Sequence, residues 1–279
     1  MELKQNPFSF YDFLGYFIPG SVFLYACMIA NNVLNSASSS IESLSQMTGM
    51  GRAELYLPFI LFAYIVGHFL NFLSSITIER YSLWAMGYPS KYLLGVKGSG
   101  YFSLKENKII RGIIRILVFI VILPVSLMDL VLGRWFGLRD IYSKPLDPLL
   151  QQLIRQKIYS LISSHGGVSN LESHSGPRDN DFFHYAYHYA VENAPSHLPK
   201  MQNYVALYGF LRTITFLSVI FFWLFVWYGI NNKHCEPSFY ILTFGIAFVC
   251  YLNFMAFVKF YRRFSFEALM AASVVHQKT

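Results

Sequence analysis

Residues Ile116 to Leu132 read ILVFIVILPVSLMDLVL. The run is apolar enough for lipid, yet Pro124 stands in its middle and Asp129 near its end, with Arg111, Arg115 and Arg134 on its flanks. Proline removes a backbone donor and clashes with the turn before it, so no straight helix is expected there. Whether the run crosses a membrane decides the topology of the chain. A helix needs about 20 apolar residues to cross the hydrocarbon core. Leu14 to Leu34, Leu55 to Ile78, Tyr204 to Ile230 and Phe239 to Val258 all meet that length. Composition agrees: 54% of the 279 residues are hydrophobic and only 13% charged, where soluble domains carry about 25% charged.

The links between these runs set the sidedness. The link Asn31 to Glu54 holds one basic residue, Arg52, and the link Asn231 to Ser238 holds Lys233. The stretches Glu79 to Gly112, Gly133 to Asn203 and the tail from Lys259 are rich in Lys and Arg. Positive residues stay on the cytoplasmic side, so these three stretches and both termini are expected there. Basic stretches on both sides of Ile116–Leu132 favour an entry and return at Pro124, or a position in the interface; the alternative is a kinked fifth helix. Unwound backbone at membrane depth survives where protein or a water-filled cavity covers it. The run is therefore a candidate for an oligomer contact or a gate, with Pro124 and Asp129 as its marked residues. The expected fold is an all-α integral membrane protein with four or five transmembrane helices and a mostly helical cytosolic layer. Residues 1–78 form an N-terminal hairpin, 79–203 the layer with the apolar segment 113–132, and 204–279 a C-terminal hairpin and tail.

In that layer, "LDPLLQQLIRQKIYSLI" predicts a helix with Asp147 as N-cap and Pro148 at its first position. "DFFHYAYHYAVENA" predicts another, capped by Asp179 or Asp181, and the tail "RRFSFEALMAASVV" predicts a short amphipathic helix. At the other end of the chain, Asp12 in "YDFLGYFIPG" is placed to cap the first membrane helix, which Pro19 kinks.

Few residues carry chemistry. His184 and His188 have an i, i+4 spacing that suits zinc, with Asp181 or His165 as a further ligand, but Tyr185 stands where a metalloprotease needs Glu. Cys27, Cys235 and Cys250 are far apart and form no CxxC pair. No metal or cofactor is expected, and no nucleophile motif marks an enzyme. Tyr64, His68, Asn71, Ser75 and Glu79 fall at helical spacing and make one polar stripe on a hydrophobic helix, either a pore wall or a seam between helices. Ala63 and Gly67 beside it allow close helix approach. On the fourth helix Tyr204, Tyr208, Arg212 and Thr215 form a weaker stripe, and Arg212 is a candidate partner for Asp129, as is His68. Lys105, Lys108, Arg111, Arg115, Arg134 and Arg139 form a membrane-proximal basic set. It suits anionic lipid head groups, or an oligonucleotide with its phosphates on the cations and its bases on tyrosines.

Three short stretches, "DFLGYFIPGSVFL", "GYPSKYLL" and "FYRRFSFEAL", together resemble small membrane proteins of bacterial anti-phage defence loci, specifically the membrane effector family of the Hailong system. That resemblance implies an inner-membrane homo-oligomeric ion channel, expected as a tetramer. It also implies gating by a DNA oligomer made by a partner nucleotidyltransferase. It carries over no catalytic residues. The competing expectations from the residues alone are a membrane anchor or adaptor for a soluble partner and, behind it, a metal-dependent membrane enzyme using His184 and His188.

Overall fold

The computed structural model describes residues 12–35, 51–96, 98, 100–102, 109–166, 182–231 and 237–275. Every regular element among them is helical. The chain enters through a π turn, Phe13–Phe17, into α1, Ile18–Asn35. Asp12 does not cap it: the residue is itself helical and makes no cap hydrogen bond. Pro19 lies inside a continuous helical stretch from Asp12 to Asn35, directly after the π turn, and lacks the N–H that would continue the ladder. The following α2, Arg52–Ser74, is capped at Gly51, whose N–H donates to Glu54 Oε2 at 3.0 Å. α1 and α2 touch backbone to backbone. A Cβ on Gly20 would run into the Ala63 carbonyl, and one on Gly67 into the Tyr16 carbonyl. The Pro-Gly pair thus has two parts: Pro19 follows the π turn within the helix, and Gly20 lets the partner helix close in.

A second π turn, Ser75–Glu79, leads from α2 into α3, Arg80–Met86, and then the short α4, Pro89–Leu93. α5, Ile109–Val121, and α6, Leu123–Met128, meet at a 91° bend. α6 runs on through a π turn, Asp129–Trp135, to α7, Leu138–Ser143. α8, Pro148–Gly166, starts as its sequence predicts, with Leu149 N–H donating to Asp147 Oδ1 at 2.9 Å. α9 is Phe183–Asn193; its expected caps, Asp179 and Asp181, lie outside the described residues.

Two long helices follow: α10, Leu198–Asn231, and α11, Pro237–Val274, of 34 and 38 residues. At 1.5 Å per residue they are about 51 and 57 Å long, well beyond the roughly 30 Å hydrocarbon core. The tail expected as a separate amphipathic helix is the last part of α11, which runs unbroken to Val274. The two helices are antiparallel, with Tyr204 beside Phe260 at one end and Phe225 on Phe239 at the other. The first turns of α10 and the last turns of α11 therefore project together from the membrane part. α4, α8 and α9 pack around that projection. Their core joins Leu93, Ile154, Ile158 and Ala190 to Met201, Ala268 and Leu269. The membrane core joins Leu70, Ile78, Ile122 and Val125 to Phe222, Tyr251 and Phe254. Tyr208 and Tyr261, with ring centroids 4.9 Å apart, touch both cores. Glu267 accepts from His197 Nδ1 at 2.8 Å and Lys200 Nζ at 2.7 Å, which fastens the start of α10 to α11.

Candidate functional site

The bend between α5 and α6 would leave carbonyls bare inside a membrane protein, where each must find a donor. Two side chains supply them. Ser126 Oγ donates to Phe119 O at 2.9 Å, and Trp223 Nε1 of α10 donates to Val121 O at 2.8 Å. Pro124 opens α6, where it has no N–H to satisfy. α6 is buried against α10 and α11, while Ile109, Ile113, Ile116, Leu117 and Ile120 leave α5 with an exposed apolar face. The run Ile116–Leu132 is therefore two arms at 91°.

Asp129 follows at the end of α6 and is fully buried. Tyr81 Oη donates to its Oδ2 at 2.8 Å, Arg139 Nε approaches Oδ1 at 3.4 Å, and Arg139 Nη2 forms an ion pair with Oδ2. Arg139 Nη1 also donates to Ala85 O at 3.3 Å. One buried carboxylate therefore ties the bent segment to α3 and to α7. Gly133 makes this possible: a Cβ there would collide with Asp129 Oδ1 and stand 3.2 Å from Tyr251 Oη. Neither partner expected for Asp129 is the one it has. His68 stacks on Tyr16 with centroids 3.8 Å apart, and Arg212 pairs elsewhere.

Arg212, itself buried, lies across α2. Its Nη1 forms an ion pair with Glu79, Nη2 donates to Asn71 Oδ1 at 2.6 Å, and Nε to Ser74 Oγ at 3.2 Å. Thr213 Oγ1 joins at 3.4 Å from Asn71 Oδ1. The polar stripe of α2 is thereby divided. Asn71 and Glu79 belong to this seam. Ser75 does not; its hydroxyl donates to Phe72 O at 2.7 Å, and Ser74 takes its place. The π turn at Ser75–Glu79 is the cause. Its hydrogen bonds span five residues instead of four, which brings Glu79 under Ser74 rather than Ser75. Tyr64 and His68 lie further along α2 in an aromatic group with Tyr16.

The four described members of the basic set, Arg111, Arg115, Arg134 and Arg139, have separate surroundings. Lys105 and Lys108 lie outside the described residues. Arg115 is held by the bent segment's neighbours: Nη1 donates to Tyr101 O at 2.6 Å, Tyr101 Oη returns a bond to Arg115 O at 2.6 Å, and the guanidinium lies 5.3 Å from the Trp84 ring centroid. Burial pushes the Tyr101 phenol up to about 12, against the opposing pull of Arg115, so it stays a neutral donor. Arg139 serves Asp129, while Arg111 and Arg134 are exposed. His184 and His188 are exposed on α9; their expected third ligand Asp181 lies outside the described residues, as do the contacts of the His165 side chain. Among the described residues, no group of three or more His, Cys, Asp or Glu side chains could hold a metal.

Sequence reading missed Tyr81, Ser74, Thr213, Gly133 and Trp223. Each acts through its packing partner, which no periodicity reveals. The small Gly133 one helical turn after a lone membrane aspartate was the one available signal.

The fold and these buried ion pairs define an all-α membrane-embedded protein. Among the described residues it has four helices long and apolar enough to cross and one bent apolar pair. Comparisons with protein-family models, with curated proteins and with solved structures find no match for the chain.

Proposed function

We propose that the protein is a homo-oligomeric inner-membrane channel whose bent apolar segment opens and closes under a ligand bound by its cytosolic layer. The observation that carries this reading is the Asp129 clasp. It is the charged joint between the bent segment, α3 and α7. α7 leads directly into α8 of the layer, so a shift of the layer acts on Arg139 and through it on α6. A ligand moves such a joint only by binding one arrangement better than the other. The basic, tyrosine-rich character of the membrane-proximal stretches suits a phosphate-rich ligand such as an oligonucleotide. The likeness of the three short stretches to the Hailong membrane effectors supports the same reading, with anti-phage defence through loss of membrane potential as its role.

Purified protein in potassium-loaded liposomes tests it. Ion flux is expected, and short mixed-sequence single-stranded DNA on the layer side is expected to change it. Lys108→Glu and Arg111→Glu should weaken that response. Tight liposomes with and without DNA, from protein shown to be folded and inserted, would favour the anchor instead.

A further inference from the structure

His68 is exposed in the membrane half of the molecule. It lies 14 residues after Glu54 and 11 before Glu79, the charged residues that bound the apolar part of α2. At 1.5 Å per residue these separations are about 21 and 17 Å, which puts the imidazole near the middle of the roughly 30 Å hydrocarbon core. The other ionisable cation at depth in the long helices, Arg212, is buried and paired. The contacts of the His68 ring among the described residues are aromatic: Tyr16 stacked at 3.8 Å and Tyr64 edge-on at 4.6 Å. An imidazole presented outward at that depth is poorly solvated by lipid tails, and such groups face a bundle interior or a water-filled cavity.

Between residues 213 and 258, α10 and α11 expose no described His, Lys or Arg; α2 differs from them at His68, whose exposed neighbours Leu61, Ile65 and Phe69 are apolar too. The hydroxyls of Thr215, Ser218 and Thr243 donate to their own helix at Leu211 O, Ile214 O and Phe239 O, at 2.7, 2.8 and 2.7 Å. Asn253 donates to Ser218 at 3.2 Å. What α10 and α11 present outward is Trp223, Leu224, Trp227, Ile241, Leu242 and Phe244, a surface suited to lipid. We infer that the Tyr16, Tyr64 and His68 face of the α1/α2 hairpin is the wall that lines the water-filled path between copies of the chain, and that α10 and α11 face lipid. This rests on the channel reading and names its conducting surface. The stripe of α2 then has two roles: a sealed seam at Asn71 and Glu79, and a wet wall at Tyr64 and His68.

Thiol accessibility tests the assignment. With Cys27, Cys235 and Cys250 changed to Ser, His68→Cys and Tyr64→Cys are compared with Leu224→Cys and Leu242→Cys in proteoliposomes, using a cationic membrane-impermeant methanethiosulfonate. Only a thiolate reacts, and a thiolate needs water, so the first pair should label at least about tenfold faster than the second. Labelling of the His68→Cys variant should also lower ion flux. Slow labelling of both the His68→Cys and Tyr64→Cys variants, in protein that still conducts, overturns the assignment. So does spontaneous cross-linking of His68→Cys between copies without labelling, the mark of a dry contact. Fast labelling in protein that carries no flux keeps the wet wall and removes the channel reading.

Discussion

Among the described residues, two ion pairs, each with one buried member, hold the membrane half together, and they are built differently. Arg212 and Glu79 are 133 positions apart and join two spanning helices. Asp129 and Arg139 are 10 positions apart and close a short loop around the end of the bent segment. The Arg212 seam adds Asn71, Ser74 and Thr213, and its acceptors all lie on one continuous stretch of helix. The Asp129 clasp gathers three short elements around one carboxylate; there the side chain that reaches toward solvent is the arginine, 21% exposed against 0% for Asp129, whereas in the seam it is Glu79, 22% against 10% for Arg212. A seam between long helices holds shape. A clasp among short elements has less packing to break when it lets go, which suits a moving part.

Breaking the seam should therefore cost most. Arg212→Met leaves Glu79 without its cation, and the loss of one partner of a buried pair costs about 3–5 kcal/mol. Thermal unfolding in detergent should show it, and Arg212→Met with Glu79→Gln should recover much of the loss, since the residues act as one unit. Next comes Asp129→Asn, which keeps the shape but frees Arg139 to turn toward water. Its expected cost is about 2 kcal/mol, typical of a lost charged hydrogen bond. Unlike the seam variant, it should also change liposome flux. A stability loss equal to that of Arg212→Met, with unchanged flux, would erase the distinction. Gly133→Ala presses a methyl on the Asp129 carboxylate and should cost about 1–3 kcal/mol through overpacking. Tyr81→Phe alongside it separates the two causes, because it removes a donor without adding volume. The smallest effect belongs to Trp223→Phe, which leaves the Val121 carbonyl without its donor at the bend. About 1 kcal/mol is expected, read as faster hydrogen exchange confined to α5 and α6.

The polar stripe shows how far sequence reading reaches. Tyr64, His68, Asn71 and Glu79 are legible as one face of α2 because the helical period puts them there. Ser75 falls on the same face only at 3.6 residues per turn, and the π turn breaks that period. Arg212 is recognisable as a membrane cation needing a partner, but Asp129 and Glu79 are equally eligible until packing chooses. Asp129 is likewise marked as costly to bury, yet nothing in the local sequence points to Tyr81.

The sequence by itself determined the helical class, the four long apolar helices, the break at Pro124 and the presence of ionised groups that could not be left alone in an apolar core. These follow from local backbone chemistry and from the transfer cost of each side chain, which are properties of short stretches. Only the tertiary structure decided which charge meets which, that the bend closes at a right angle under Trp223, and that the stripe divides between a buried seam and an exposed imidazole. Those outcomes depend on the relative rotation and depth of helices far apart in the chain. Rotation is set by close contacts such as Gly20 on Ala63, and by one extra residue in a turn.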